Sequence, residues 1–300
     1  MKFINLSTVI TTLVVAAIFD LLSVAKPAAA VSLVGLTEDN NLVLFDSSNP
    51  TSSTTVSVTG VNGTLLGIDR RPANNLIYGL TNTNNIYTIN PLTGVASFVS
   101  TLSSPFTGGN ISGLDFNPVP DRLRVVGGND QNFRINVDTG AVIVDGTLNP
   151  GAGDANITAV AYTNVDNDPA TGTTLYDIDY VSDALFIQNP PNNGTLLQVG
   201  SLGLDIISAA GFDIFTDNGV NTAFAALTPA STSGSNLYTI NLTTGAATSL
   251  GTISSGKRLI GLTAIASEPN IGVPEPNVGF GALLGFGAFA LLGRRRKLVG

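Results

Sequence analysis

Between residues 31 and 266 the chain consists of short apolar runs separated by clusters of Gly, Asn, Asp, Pro and Ser. The runs are rich in Val, Ile, Leu, Thr and Tyr, and no long stretch has a 3.6-residue period. Short runs of β-branched and aromatic residues bounded by turn formers are typical of strands. The pattern therefore predicts an all-β domain that is nearly free of helix.

Two motifs recur along this domain. The motif Gly-Ile-Asp at residues 67–69 returns as Gly-Leu-Asp at 113–115, 46 positions later, and further copies follow near 158, 208 and 260. A second motif, in which Asn precedes an apolar strand and a Thr-Gly turn follows it, begins at Asn85, Asn132 and Asn236, with a weaker copy at 184–188. Four strands in a repeat of 46 to 52 residues are typical of a β-propeller blade.

The two ends of the domain complete each other. Residues 35–42 align with 79–86, which are the second and third strands of a unit, whereas 261–265 align with a first strand. One C-terminal and three N-terminal strands would thus close a ring and remove its sheet edges. We predict a five-bladed β-propeller, in preference to a β-sandwich or an open β-solenoid. The predicted blades are residues 65–102, 111–148, 157–202, 207–253, and 259–266 with 31–58.

The N-terminus has the parts of a secretory signal peptide. Lys2 precedes an apolar run at 9–19, and three small residues follow at 28–30. The sequence predicts a signal peptide over residues 1–30, cleaved after Ala30 or, as the second choice, after Ala25. A retained anchor is the alternative, although Asp20 interrupts the run.

The C-terminus combines a proline-rich motif, an apolar run and a basic end. The motif is Val273-Pro274-Glu275-Pro276, the run covers 278–292, and the last part is Arg294-Arg295-Arg296-Lys297. Fifteen apolar residues make a helix of about 22 Å, shorter than the roughly 30 Å hydrocarbon core. We expect a short transmembrane-like helix with its basic end in the cytoplasm.

This arrangement resembles the PEP-CTERM sorting signal. The resemblance implies that a membrane exosortase recognises and cleaves the tail of a protein bound for the cell surface or the exopolysaccharide matrix. Residues 274–300 would form the tail and 267–273 a spacer. An ordinary single-span anchor is the alternative, and it gives the same topology.

Residues 31–266 resemble the DUF4394 family of uncharacterised secreted bacterial proteins. The most specific stretches are Gly113–Pro118 with Asp121–Val125, and Thr174–Asp179 with Gln188–Pro191. No activity is attached to that family, so the resemblance implies a domain boundary and no mechanism.

Composition narrows the possible functions. Residues 31–273, between the two predicted terminal signals, have seven basic and 19 acidic residues, a balance that repels nucleic acid and attracts cations. The chain has no Cys, His or Trp. Disulfides, Ser-His-Asp and Cys-His triads, and histidine-ligated metal or haem sites are therefore excluded.

Asp69 and Asp115 are the best-placed carboxylates for glycoside hydrolysis, which needs two facing acids. The third, fourth and fifth copies of the motif carry Ala161, Gly211 and Thr263 at this position, so the repeat predicts no carboxylate there. Aspartates at strand ends also bond nearby backbone as Asx-turns, which is the alternative.

Hard oxygen ligands for calcium occur at Asp166, Asp168, Asp177 and Asp179. The spacing lacks a twelve-residue calcium loop with a bidentate acid at its end, and an ordinary inter-strand loop is the alternative.

Arg122, Arg124 and Arg134 form a basic cluster that could bind a carboxylated sugar or an acidic partner. Internal pairing with Asp121, Asp130 or Asp138 is the alternative.

Taken together, these features predict an exported, non-catalytic binding or scaffold propeller at the cell surface or in the exopolysaccharide matrix. The expected partners are an exosortase and exopolysaccharide. Before processing, the C-terminal tail would also contact the membrane, and no binding to nucleic acid is expected. No cofactor is expected apart from a possible calcium ion. A secreted hydrolase that uses propeller aspartates and a purely structural envelope protein are the alternatives.

Overall fold

The computed structural model describes residues 30–166 and 168–265. Within those residues it has twenty strands, one 3₁₀ turn at Pro191–Asn193 and no α-helix. The strands in chain order are β1 Ser32–Thr37, β2 Asn41–Asp46, β3 Asn49–Ser57, β4 Leu65–Arg70, β5 Ile77–Thr81, β6 Asn85–Ile89, β7 Ala96–Thr101, β8 Ser112–Asn117, β9 Arg122–Gly127, β10 Asn132–Asn136, β11 Ala141–Val144, β12 Ile157–Tyr162, β13 Leu175–Asp179, β14 Ala184–Gln188, β15 Leu196–Ser201, β16 Ile206–Asp217, β17 Val220–Pro229, β18 Asn236–Ile240, β19 Ala247–Thr252 and β20 Leu259–Ile265.

The strands form five antiparallel four-stranded sheets, which are the blades of a five-bladed propeller. Blade 1 is β4–β7, blade 2 is β8–β11, blade 3 is β12–β15 and blade 4 is β16–β19. Blade 5 combines β20 with β1, β2 and β3, and Leu33 lies opposite Ala264 where the two ends of the ring meet. The predicted closure by one C-terminal and three N-terminal strands is confirmed.

The first strand of each blade contacts the first strands of both neighbouring blades, so these five strands surround the propeller axis. They are buried along nearly their whole length, whereas the outer strands β7 and β11 are largely exposed. A strand covered on both faces needs a nearly continuous apolar sequence. The opening strands β12 and β20 have such a sequence, whereas β4 and β8 each carry a buried aspartate.

The hydrophobic core is divided into five clusters, each lying mainly between two neighbouring blades. Leu66 and Phe116, for example, pack in the seam between blades 1 and 2. Val126 and Tyr162 pack in the seam between blades 2 and 3. Each fully buried Leu, Ile, Val or Phe contributes about 1.5–3 kcal/mol. Stability is therefore distributed over the seams around the ring.

Two glycines show how closely the strands approach. A Cβ on Gly113 would lie 2.7 Å from the backbone nitrogen of Val160, so β8 and β12 meet at the axis with no space for a side chain. Gly140, in a Thr-Gly turn, has φ +71°, which is a left-handed conformation that glycine adopts without strain. Close packing at the axis and the left-handed turn explain why glycine recurs at these two positions of the repeat.

Candidate functional site

Three aspartates near the ends of the first strands come together at the propeller axis. They are Asp69 on β4, Asp115 on β8 and Asp213 on β16, and we call them the axial aspartate cluster. One oxygen of each carboxylate lies within 4.8 Å of the corresponding oxygen of the other two. The equivalent residues of blades 3 and 5 are Ala161 and Thr263, so three of the five blades contribute a carboxylate.

Each carboxylate of the cluster is held by the next blade that follows in the chain. A backbone N–H from the neighbouring first strand donates to one oxygen in each case: Phe116 to Asp69 at 2.8 Å, Tyr162 to Asp115 at 2.8 Å, and Ala264 to Asp213 at 2.5 Å. Asp69 also accepts from the hydroxyl of Thr263 at 2.9 Å and from the N–H of Arg70 at 2.6 Å. The cluster therefore forms part of the contacts between blades, and its geometry depends on the closed ring.

The carboxylates border a small cavity at one mouth of the axial channel. Its walls also include Arg70, Phe116 and Thr263. The cavity has a volume of about 10 Å³, which is close to the space that one water-sized sphere requires. It can hold one ion or one water molecule, and a sugar ring does not fit.

Burial and mutual repulsion disfavour the charged forms of all three acids. Burial, followed by the negative charge of Asp213, raises the pKa of Asp69 to about 7. Burial, followed by the charges of Asp69 and Asp213, raises the pKa of Asp115 well above its ordinary value. Burial also raises the pKa of Asp213. Three desolvated carboxylates at this separation require bound protons or a cation to neutralise them.

The sequence repeat predicts Gly211 at the position of Asp69 in blade 4, whereas in the structure Asp213 occupies it. The pairing of β16 with β17 is irregular between Ile206 and Ala210. At this point β16 has two extra residues opposite β17, against one each in β4 and β12, and Gly211 lies beside Gly261 on the ring of small residues at the axis. The motif Gly-Phe-Asp at 211–213, which matches Gly-Ile-Asp at 67–69, was the signal that could have identified the third aspartate.

The predicted basic cluster is divided between two environments. Arg122 is partly exposed and donates to the carbonyl oxygens of Pro120 and Asp121, at 3.1 and 2.8 Å. Arg124 is 1% exposed, lies between blades 2 and 3, and forms an ion pair with Asp145 at 2.6 Å.

Arg134 forms two hydrogen bonds with the same Asp145 carboxylate, at 2.6 and 2.8 Å. Internal pairing is therefore present, but with a partner that the sequence did not indicate. Two of the expected partners, Asp121 and Asp138, pair with Arg71 instead.

The four residues considered for calcium do not form one group. In the exposed loop, Asp166 accepts from the N–H of Asp168 at 3.0 Å, and Asp168 accepts from Ala170 at 2.8 Å, as Asx-turns do. Asp179 accepts three backbone N–H groups, from Asn156, Val181 and Ser182. Asp177 is fully buried in the blade 2–blade 3 seam.

The predicted signal peptide, the spacer and the sorting motif lie outside the described residues. The same holds for the short transmembrane-like helix predicted over 278–292. In the part of the chain that the structure describes, no helix has the length and apolar character needed to cross a membrane.

A family model described as a domain of unknown function, DUF4394, matches residues 41–263. This match covers most of the chain. The chain belongs to the DUF4394 family. The DUF4394 domain so defined begins in β2 and ends within β20, so it covers nearly all of the propeller. No curated protein matches the chain.

Among solved structures, the DUF4394 domain is similar to virginiamycin B lyase from Staphylococcus aureus. The identity is 11%, the TM-score is 0.39, and the match covers 73% of this chain and 69% of the lyase. A dihydro-heme d1 dehydrogenase is similar at 10% identity and a TM-score of 0.36, over 73% of this chain and 43% of that protein.

Proposed function

We propose that this protein is a non-catalytic binding propeller whose axial aspartate cluster holds one divalent cation, with calcium as the first candidate. In this proposal an exosortase-type pathway delivers it to the cell surface or the exopolysaccharide matrix, where the cation-stabilised ring acts as a scaffold. The location rests on the two terminal sequence signals, and the cation rests on the axial geometry.

The convergence of three buried carboxylates from separate blades is the observation that supports the cation. Carboxylate and hydroxyl oxygens are the ligands that calcium and magnesium prefer, and Thr263 adds a hydroxyl beside Asp69. Arg70 is the one cationic side chain on the cavity wall described above, and its guanidinium donates to Ala264 and Asn75. A small cation would neutralise the cluster without moving these contacts.

The size of the cavity favours binding over the alternative of hydrolysis by Asp69 and Asp115. A glycosidase needs space for a sugar ring between its two acids, and a space of about 10 Å³ is far too small. Incubation of the purified protein with a polysaccharide panel should therefore release no reducing ends. Release that disappears in an Asp115→Asn variant would support the hydrolase alternative.

Isothermal titration calorimetry of the purified protein, first treated with EDTA, tests the cation directly. We expect one equivalent of calcium to bind and to raise the melting temperature. Asp115→Asn should weaken binding by at least about tenfold, because affinity depends on the number of charged ligands. Asp168→Asn is the matched control, since Asp168 is an exposed aspartate within a loop turn and should bind normally.

A protein that binds neither calcium nor magnesium would contradict the proposed cation and favour the purely structural alternative. Equal loss of binding in Asp168→Asn would move the site to the exposed loop. Neither result depends on location, which cell fractionation measures separately. A variant with residues 274–276 replaced by alanine should be absent from the processed surface fraction.

A further inference from the structure

Asp177 is a carboxylate enclosed by apolar side chains in the seam between blades 2 and 3. It lies on β13, is 0% exposed, and is opposite Val160 on one side and Phe186 on the other. Val126 and Leu148 of blade 2 belong to the same apolar cluster as these two neighbours. Such surroundings offer a carboxylate no compensation for the loss of water.

Among the residues that the structure describes, none donates a hydrogen bond to either oxygen of Asp177. Gln188 Oε1, on the adjacent strand β14, is also buried without a donor there, while its Nε2 donates to Pro191 O. Because Leu175 is opposite Gln188 and Asp177 is opposite Phe186, Asp177 and Gln188 are diagonal neighbours on one face. Diagonal pairs are about 7–8 Å apart at Cα, within the reach of these two side chains.

The charged and titratable groups packed around this position are already engaged. The positive charge that acts on Asp177 is that of Arg124 on β9, whose guanidinium donates to four side chains: Asn132, Asp145, Asn192 and Tyr162. The remaining groups on neighbouring elements are Asp115 on β8, Arg134 on β10, Tyr162 on β12 and Asp179 at the end of β13. Burial raises the pKa of Asp177 well above its ordinary value, and Arg124 opposes this only in part.

An isolated buried charge is far more costly than a buried neutral acid, so such groups take up a proton. A neutral acid would also provide the donor that Gln188 Oε1 lacks. A cation is a weaker explanation, because Asp177 is a single carboxylate, unlike the three at the axis, and the positive charge of Arg124 already acts on it.

We propose that Asp177 is a neutral carboxylic acid in the native propeller, donating its proton to Gln188 Oε1, and that ionisation of Asp177 loosens the blade 2–blade 3 seam. The packing between blades 2 and 3 would thus depend on pH: it would be stable at acidic pH and less stable at alkaline pH. This inference does not depend on a cation at the axis.

The effect of pH has a defined direction. An acid whose pKa is raised by folding contributes its full stability below the unfolded value, and loses that stability as the pH rises towards the folded value. Asp177→Asn keeps a donor for Gln188 but cannot ionise. Its melting temperature should therefore match the wild type near pH 4 and exceed it by roughly 2–4 °C or more at pH 8.

Asp179→Asn is the control, because it is the other buried aspartate of β13 but accepts three backbone N–H groups. It should be less stable than the wild type throughout, without the gain at high pH. Asp177→Leu provides a second variant, since its neighbours are apolar. Infrared difference spectra between the wild type and Asp177→Asn at pH 7 should show the carbonyl band of a protonated carboxyl.

A stability difference between Asp177→Asn and the wild type that does not change with pH would overturn the proposal. So would the absence of the protonated-carboxyl band, or a loss of stability at pH 8 in both the Asn and Leu variants. The last result would mean that the native charge is itself stabilising.

Discussion

Raising the pH should destabilise the cation-free propeller, because the folded axial cluster retains protons that the unfolded chain releases. The pKa of Asp69 is about 7 in the fold against an ordinary value of 3.8. A rise of about three pKa units corresponds to about 4 kcal/mol, lost progressively between pH 4 and 7. Since domains are typically stable by about 5–15 kcal/mol, this single group could remove a large share of the total.

Denaturant unfolding at pH 5, 6, 7 and 8 in EDTA measures this loss. The free energy of unfolding should fall by several kcal/mol between pH 5 and 8. Asp115→Asn should reduce the decline, because it removes an acid whose pKa is itself raised by burial and by the charges of Asp69 and Asp213. Calcium should restore stability at pH 8 by about 2.7 kcal/mol at 100 times its dissociation constant, and by much less at pH 5, where protons compete.

Comparing the wild type with Asp115→Asn separates the pH dependence caused by the axial aspartate cluster from that caused by the other titrating groups of the chain. If the wild type and Asp115→Asn lose stability in parallel from pH 5 to 8, the cluster does not hold the proton. If calcium raises the free energy of unfolding equally at pH 5 and pH 8, calcium does not bind to the axial carboxylates, because those would release protons between these pH values. Either result would refute the electrostatic account of the site.

Four further outcomes are expected, three from the packing and one from the C-terminal segment. Asp145→Ala should lower the free energy of unfolding by about 3–5 kcal/mol in denaturant titrations, because it leaves Arg124 buried without its carboxylate. Asp39→Asn, which removes an exposed pair with Lys257, should change it by at most about 1 kcal/mol. Gly113→Ala should cost about 1–3 kcal/mol, seen as a lower melting temperature by circular dichroism, since its Cβ would meet the backbone of β12. Deletion of residues 274–300 should leave that melting temperature unchanged while moving the protein from the cell surface to the medium in fractionation.

The fold was accessible from the sequence because a propeller repeats its local signals. Each blade has the same order of apolar runs and turn formers, and the incomplete units at the two ends showed how the ring closes. These are local properties of the chain, which a pattern of residues records directly.

The candidate sites were less accessible because they depend on contacts between blades. The irregularity in β16 hid Asp213, although its two partners, Asp69 and Asp115, had been singled out. The pairing of Arg124 with Asp145 depends on how β9 and the end of β11 are placed beside blade 3. The isolation of Asp177 is likewise a property of the seam, and its Asp-x-Asp sequence had suggested a metal ligand.

The axial cation and the neutral Asp177 between blades 2 and 3 would stabilise different parts of the ring. Asp69, Asp115 and Asp213 are separated by 46 and 98 residues, so a cation among them would connect distant parts of a chain that has no cysteine. Binding that requires the folded ring contributes directly to folding free energy.

Blade 3 has Ala161 at the equivalent position and supplies no carboxylate. Its attachment to blade 2 depends on the Tyr162 N–H bond to Asp115, on Arg124 and on a neutral Asp177. Calcium should therefore stabilise blades 1, 2 and 4 more than the seam at blade 3, and alkaline pH should open that seam first even when calcium is bound.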